Sequence, residues 1–139
     1  MRYLIDTNII SFAMQQKYTV EQVLRQHAAS NLLLSTIVMS EGYAGAYRSA
    51  KAERWLALWD MLTDGWEVAP FDAACADRYG RLRADLEDRG AMIGHRDCQI
   101  AATALAYAEI NHVSVTVVTD NVQEFKRVPG LKVANWARR

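Results

Sequence analysis

The chain has no excess charge of either sign: 16 Lys and Arg balance 16 Asp and Glu over 139 residues. It therefore lacks the overall basicity that advertises a nucleic-acid binder, and any polyanion has to be met by local groups. No stretch is long and apolar enough to span a bilayer, and the start shows no charged-then-apolar signal segment, so a cytoplasmic protein away from membranes is expected. Cysteine is scarce. Cys75 and Cys98 stand at no metal-ligand spacing, lie in helical patterns and read as buried, reduced thiols. A Gly-rich phosphate fingerprint is missing after the first strand, where Asp6-Thr7-Asn8 takes the place of the glycines, which argues against a dinucleotide fold. Repeats, low-complexity stretches and a disordered tail are missing as well.

What is present is a chain 51% hydrophobic, enough to bury the core of a single domain over residues 1–139. Arg2 to Ile5 reads as a short buried strand that Asp6-Thr7-Asn8 ends. An amphipathic helix is expected over Thr19 to Ala29, with Val20, Val23, Leu24 and His27 on one side. Asn31 to Leu34 reads as a second strand, with Ser35-Thr36 capping a helix from Ile37 to about Arg48. Lys51 to Thr63 is helical, with Trp55, Leu58, Trp59 and Leu62 at core spacing; the tryptophans serve either the core or an exposed clamp for a partner. Trp66 to Ala69 is a third strand stopped by Pro70, and a helix from about Asp72 to Arg89 ends at Gly90. A helix beginning at Asp97, a strand over Val113 to Val118, a helical turn at Asn121 to Phe125 and an edge strand at Lys132 to Ala134 complete the pattern. Strands separated by helices indicate an α/β domain with a parallel sheet and right-handed crossovers.

Against this pattern four acids are out of place. Asp6 and Asp120 each end a strand. Glu41 interrupts the small, apolar stripe of Ile37, Val38, Ala44 and Gly45 on its helix. Asp97 heads the inward face of Ile100, Ala101, Ala104, Leu105 and Ala108. Taken singly, Asp6 and Asp97 also suit helix caps and Asp120 suits a turn, whereas Glu41 needs a partner, which a nearby Arg could supply. Taken together, carboxylates gathered in a cleft repel one another unless a cation joins them, and an all-oxygen set with no Cys/His cluster suits Mg²⁺ or Mn²⁺. Ligands of open parallel sheets collect at the carboxyl ends of strands, which is where Asp6 and Asp120 fall if their strands are neighbours. Local positive charge is available at Arg48, Lys51 and Arg54, and again at Lys126, Arg127, Lys132, Arg138 and Arg139, either as solvated surface or as an RNA contact.

Nearly the whole chain resembles the PIN-domain ribonucleases, and within them the VapC toxins of type II toxin–antitoxin pairs. The resemblance rests on Tyr3-Leu4-Ile5-Asp6-Thr7-Asn8-Ile9, on Glu41, on Ile93-Gly94-His95-Arg96-Asp97-Cys98-Gln99-Ile100-Ala101-Ala102, and on Val118-Thr119-Asp120-Asn121 followed by Glu124-Phe125. It implies a PIN-like three-layer α/β/α domain with a central parallel sheet of four or five strands. It also implies an Mg²⁺- or Mn²⁺-dependent endoribonuclease that leaves 5′-phosphate and 3′-hydroxyl ends, with tRNA or a ribosomal RNA loop as the leading target. Asp6, Glu41 and Asp97 would be its principal metal-binding acids. For the fourth, the position many relatives use is Asn121 here, so Asp120 is placed first and Glu124 second. Asn8 and Thr119, with Thr7 and Ser35, would orient ligands or water from behind. Val38 and Gly42 depart from the threonine and the larger apolar residue common beside the glutamate. A homodimer and a VapB-type antitoxin, whose tail covers the groove and often places an Arg in the acidic site, are further implications. Two other functions remain open at this point: a catalytically silent interaction module of the same fold, and a metal-dependent phosphatase or DNA nuclease using the same acids.

Overall fold

In the computed structural model, which describes residues 1–138, the first strand β1 (Arg2–Ile5) is short and buried, and its ladder runs straight into the first acid. Helices α1 (Thr7–Met14) and α2 (Val20–Arg25) lead to β2 (Leu32–Ser35), α3 (Thr36–Arg48) and α4 (Ala52–Leu62) lead to β3 (Glu67–Ala69), and α5 (Ala73–Asp88) and α6 (His95–Asn111) lead to β4 (Val115–Val118). A last short helix, α7 (Val122–Phe125), precedes β5 (Lys132–Ala134). All pairings are parallel and the strand order is β3-β2-β1-β4-β5. The sheet grows outward from β1 in one direction and then restarts on its other side with β4. Right-handed crossovers place α1 to α4 on one face and α5 to α7 on the other, giving the three-layer α/β/α architecture the sequence implies.

The central strands are mostly apolar without alternation because both faces are covered: Leu4, Ile5, Leu33, Val117 and Val118 are fully buried. Ile9 and Ile10 from α1, Leu86 from α5 and Ile100 and Ala101 from α6 close the core over the sheet. Cys75 and Cys98 are buried free thiols, and burial pushes both above the usual thiol range.

Three expectations shift. The helix expected over Thr19 to Ala29 stops at Arg25; Ala29–Asn31 is a separate 3₁₀ turn. His27 lies beyond that helix, stacked on Trp136 at 4.4 Å and edge-on to Tyr3, an aromatic contact no helical spacing encodes. The helix expected from Asp97 begins two residues earlier, at His95, so Asp97 lies inside its first turn and does not cap it. Gly90 ends α5 with a φ of +64°, the left-handed region that costs glycine least.

Candidate active site

Strand order reverses between β1 and β4, and the crevice at their carboxyl ends is where a parallel sheet leaves room for a ligand. Ile5 pairs with Val118, and the Asp6 amide continues the ladder to the Val118 carbonyl at 2.9 Å, which brings Asp6 beside Thr119. Both are fully buried. The Thr119 hydroxyl donates to Asp6 Oδ2 at 2.7 Å, and the Thr7 amide donates to Asp6 Oδ1 at 2.7 Å. Asp6 is thus the cap of α1 and a member of the cluster at once. One of its functions did not exclude the other.

Asp97 approaches from the first turn of α6, 5% exposed, with Asn121 Nδ2 donating to its Oδ2 at 2.8 Å. Glu41 arrives from the second turn of α3, where the Thr7 hydroxyl donates to its Oε1 at 2.6 Å. All three acids converge on one side chain, Arg96. Its Nε donates to Glu41 Oε2 at 2.7 Å, its Nη1 to Asp97 Oδ1, and its Nη2 to both Asp6 Oδ1 and Thr7 Oγ1. This is the arginine that the isolated Glu41 called for. Its sequence signal was its position directly before Asp97 at the start of a helix, but nothing in helical spacing alone shows that it turns inward.

The protonation of the cluster follows from burial and partners. Burial raises Glu41, yet the hydrogen bonds from Arg96 and Thr7 outweigh it and leave the carboxyl below its usual range. Burial also opposes the Arg96 charge, but Glu41 and Asp6 hold that charge more firmly than usual. Asp97 goes the other way: burial, then its hydrogen bond with Glu124, push it up to about 6. Glu124 is correspondingly lowered by that bond, so the two carboxyls titrate as a pair.

The candidates for the fourth position separate in space. Glu124, on α7, faces Asp97 and accepts from Asn121 Nδ2 at 3.3 Å. Asp120 turns away: its Oδ1 accepts from Asn135 at 3.0 Å and from Arg138 Nε at 2.7 Å, and these bonds keep its carboxyl below the usual range. Asn8 ties the loop together from behind, donating to Thr119 Oγ1 at 3.5 Å and accepting from the Asp120 amide at 3.1 Å. Ser35 takes no part in the cluster; its hydroxyl caps α3 at the Val38 amide. Beside Glu41 opens a cavity of about 230 Å³ lined by Thr7, Gly42, Gly45, Trp55 and Trp59. The Trp59 ring lies where a Gly42 side chain would be, within 2.4 Å of an added Cβ, so Gly42 is the residue this tryptophan requires.

Among the described residues no three His, Cys, Asp or Glu side chains form a ready-made cage for an ion, because Arg96 lies between the acids. The donor set nevertheless fits a hard divalent cation. It is all oxygen, and its acids already converge on one positive group.

The chain matches the PIN domain over residues 3–131. It belongs to the PIN-domain family. The chain is 34% identical to Ribonuclease VapC2 of Rickettsia felis, with 98% of each covered, and 29% identical to the tRNA(fMet)-specific endonuclease VapC of Salmonella typhimurium, again with 98% of each. The solved VapBC2 of Rickettsia felis, bound to a DNA fragment from its promoter, superposes with a TM-score of 0.84 at 34% identity over 98% of this chain and 99% of that one. DNA-bound VapBC of Salmonella typhimurium also gives 0.84, at 28% identity and 98% of both chains. Within this PIN domain no helix among the described residues is long and apolar enough to cross a membrane. Arg48, Lys51, Arg54, Lys126, Arg127, Lys132 and Arg138 are all exposed, with Arg138 engaged by Asp120; Arg139 lies outside the described residues.

Proposed function

We propose that this chain is a VapC-type endoribonuclease toxin, a single PIN domain that hydrolyses RNA phosphodiester bonds at the Asp6, Glu41, Asp97 cluster. The observation that carries it is the convergence of these acids from three separate elements on one point at the strand-order reversal. Glu124 is the fourth acid in this reading, in place of Asp120, since it shares the Asn121 side-chain amide with Asp97. Initiator tRNA is the first substrate to test, given the tRNA(fMet)-specific relative, and a cytoplasmic setting follows from such a target.

A divalent ion, Mg²⁺ or Mn²⁺ in its place, would be held by Asp6, Glu41 and Asp97; it supplies positive charge at the scissile phosphate and acidifies a water. The chain's own residues prepare the site for it. Thr119, Thr7 and Asn121 each donate to one oxygen of an acid, which fixes the carboxylate planes and leaves the other oxygen facing inward.

A VapB-type antitoxin belongs to the same reading, since the solved relatives are VapBC complexes. The cavity lined by Trp55 and Trp59 beside Glu41 is the apolar groove we assign to its tail, and a homodimer of the toxin is the assembly. The acids act on phosphate rather than on base or sugar, so the substrate class is tested by offering RNA, DNA and a phosphomonoester side by side. Cleavage confined to RNA, and lost in Asp6→Asn with the circular-dichroism spectrum unchanged, is expected. Cleavage of DNA or phosphomonoester in preference, or full activity in Asp6→Asn, overturns the assignment.

A further inference from the structure

Each of the three acids divides its oxygens between a neutral side chain and Arg96, and in Asp6 the oxygen on Arg96 also accepts from the Thr7 amide at 2.7 Å. One oxygen is tied to a neutral donor of the protein: Asp6 Oδ2 to Thr119, Glu41 Oε1 to Thr7, Asp97 Oδ2 to Asn121. The other oxygen goes to Arg96 in every case. The guanidinium thus takes the three oxygens that the neutral side chains leave over, and those are the oxygens a cation would need. Its Nε, Nη1 and Nη2 each serve a different acid, so the planar fork spans all three. Arg96 also has a way out, since its side chain is 33% exposed and reaches the surface on the side of the half-exposed Glu41, while Asp6 is wholly enclosed and Asp97 nearly so. It stands next to Asp97 in the chain, on the first turn of α6, so only its side chain has to move.

We propose that Arg96 is a displaceable counter-cation, which holds the inward oxygens of Asp6, Glu41 and Asp97 in the ion-free chain and must leave them before a divalent ion can enter. The inference rests on the reading that these acids take such an ion. Seating of Arg96 and loading of metal exclude each other because they use the same three oxygens. Two consequences follow. The ion-free site is kept assembled without metal, since the acids never face one another uncompensated. The metal concentration at which the site fills is set higher than the acids alone would set it, by the cost of unseating Arg96.

Calorimetric titration of Mn²⁺, and separately of Mg²⁺, into antitoxin-free chain stripped with EDTA tests this without reference to cleavage. Arg96→Gln removes the competitor, and Arg25→Gln removes one charge from an exposed pair with Glu21 on α2 as the control for net charge. Arg96→Gln is expected to bind Mn²⁺ at least tenfold more tightly than the wild-type chain, about 1.4 kcal/mol, with Arg25→Gln unchanged. In EDTA the Arg96→Gln chain should melt below wild type and recover more than wild type does when Mn²⁺ is added. Should Arg96→Gln fail to fold without metal, Arg96→Lys, which keeps the charge but not the three-way fork, should bind Mn²⁺ with an affinity between the two. Equal or weaker binding by Arg96→Gln, or by Arg96→Lys where it stands in, overturns the counter-cation while leaving the metal site in place. No binding by either wild type or variants removes the metal reading itself, and the counter-cation with it.

Discussion

At the scale of single residues, the site is decided by which oxygen meets which donor. Asp120 and Glu124 lie four residues apart in sequence, yet one carboxylate is spent on Arg138 and Asn135 while the other faces Asp97. Glu124→Gln is therefore expected to lower the cleavage rate at least tenfold, on the order of 1.4 kcal/mol of barrier, and Asp120→Asn to leave it within about twofold. Initial rates on one RNA substrate measure both, and the reverse ranking would return the fourth position to Asp120. Asp97 makes a second expectation about pH. Its carboxyl is raised from 3.8 to about 6, so between those values the folded chain holds a proton that the unfolded chain has released. Stability from this group is therefore greatest below the lower value and is lost as pH rises through the upper one. Glu41 and Glu124, both lowered, act in the opposite sense and at lower pH. In EDTA, the melting temperature of wild type relative to Asp97→Asn should fall as pH is raised across that window. A difference that stays constant with pH would show that Asp97 is not raised. Asp6, Glu41 and Asp97 could be singled out in the sequence because acids there have no ordinary reason to be buried together. Arg96 could not, since an Arg at the start of a helix is commonly solvated, and its inward turn depends on α1 and α3 arriving opposite it.

Elements carry the next part of the explanation. Strand and helix identities were legible from the residue pattern because β1, β2 and β4 are short, mostly apolar runs and α5 and α6 have inward stripes. Boundaries were less so. Helix α2 stops at Arg25 because the following residues turn toward Trp136 and the 3₁₀ segment, a tertiary contact with a residue more than a hundred positions away. The meeting of α3 and α4 shows the same limit: Gly42 departs from the larger apolar residue common at this place, and the Trp59 ring packed against it, which no local pattern encodes, leaves no room for a side chain. Gly42→Ala should gain about 1 kcal/mol of helix propensity but lose roughly 1–3 kcal/mol to overpacking, a net fall in melting temperature. Trp59→Leu in the same chain should return part of that loss. If Gly42→Ala melts at or above wild type, the close approach of the two helices is not what fixes this glycine.

For the whole molecule, topology explains why residues 6, 41 and 97 meet at all. Reversal of strand order between β1 and β4 opens one crevice, β1 delivers Asp6 to its floor, and α3 and α6, on opposite faces of the sheet, start beside it and supply Glu41 and Asp97. Neutral overall charge is compatible with an RNA enzyme if, as proposed, the cation needed at the phosphate is collected locally by the acids rather than spread over the surface. The most direct test is digestion of total cellular RNA by purified, antitoxin-free chain with Mg²⁺, with Mn²⁺ and with EDTA, with all new 5′ ends mapped and Asp97→Asn run in parallel. Discrete cuts bearing 5′-phosphates, present with either ion and missing with EDTA and in Asp97→Asn, are expected. Cuts that persist in EDTA or in Asp97→Asn, or an intact RNA population under every condition, would contradict a metal-dependent ribonuclease at this cluster.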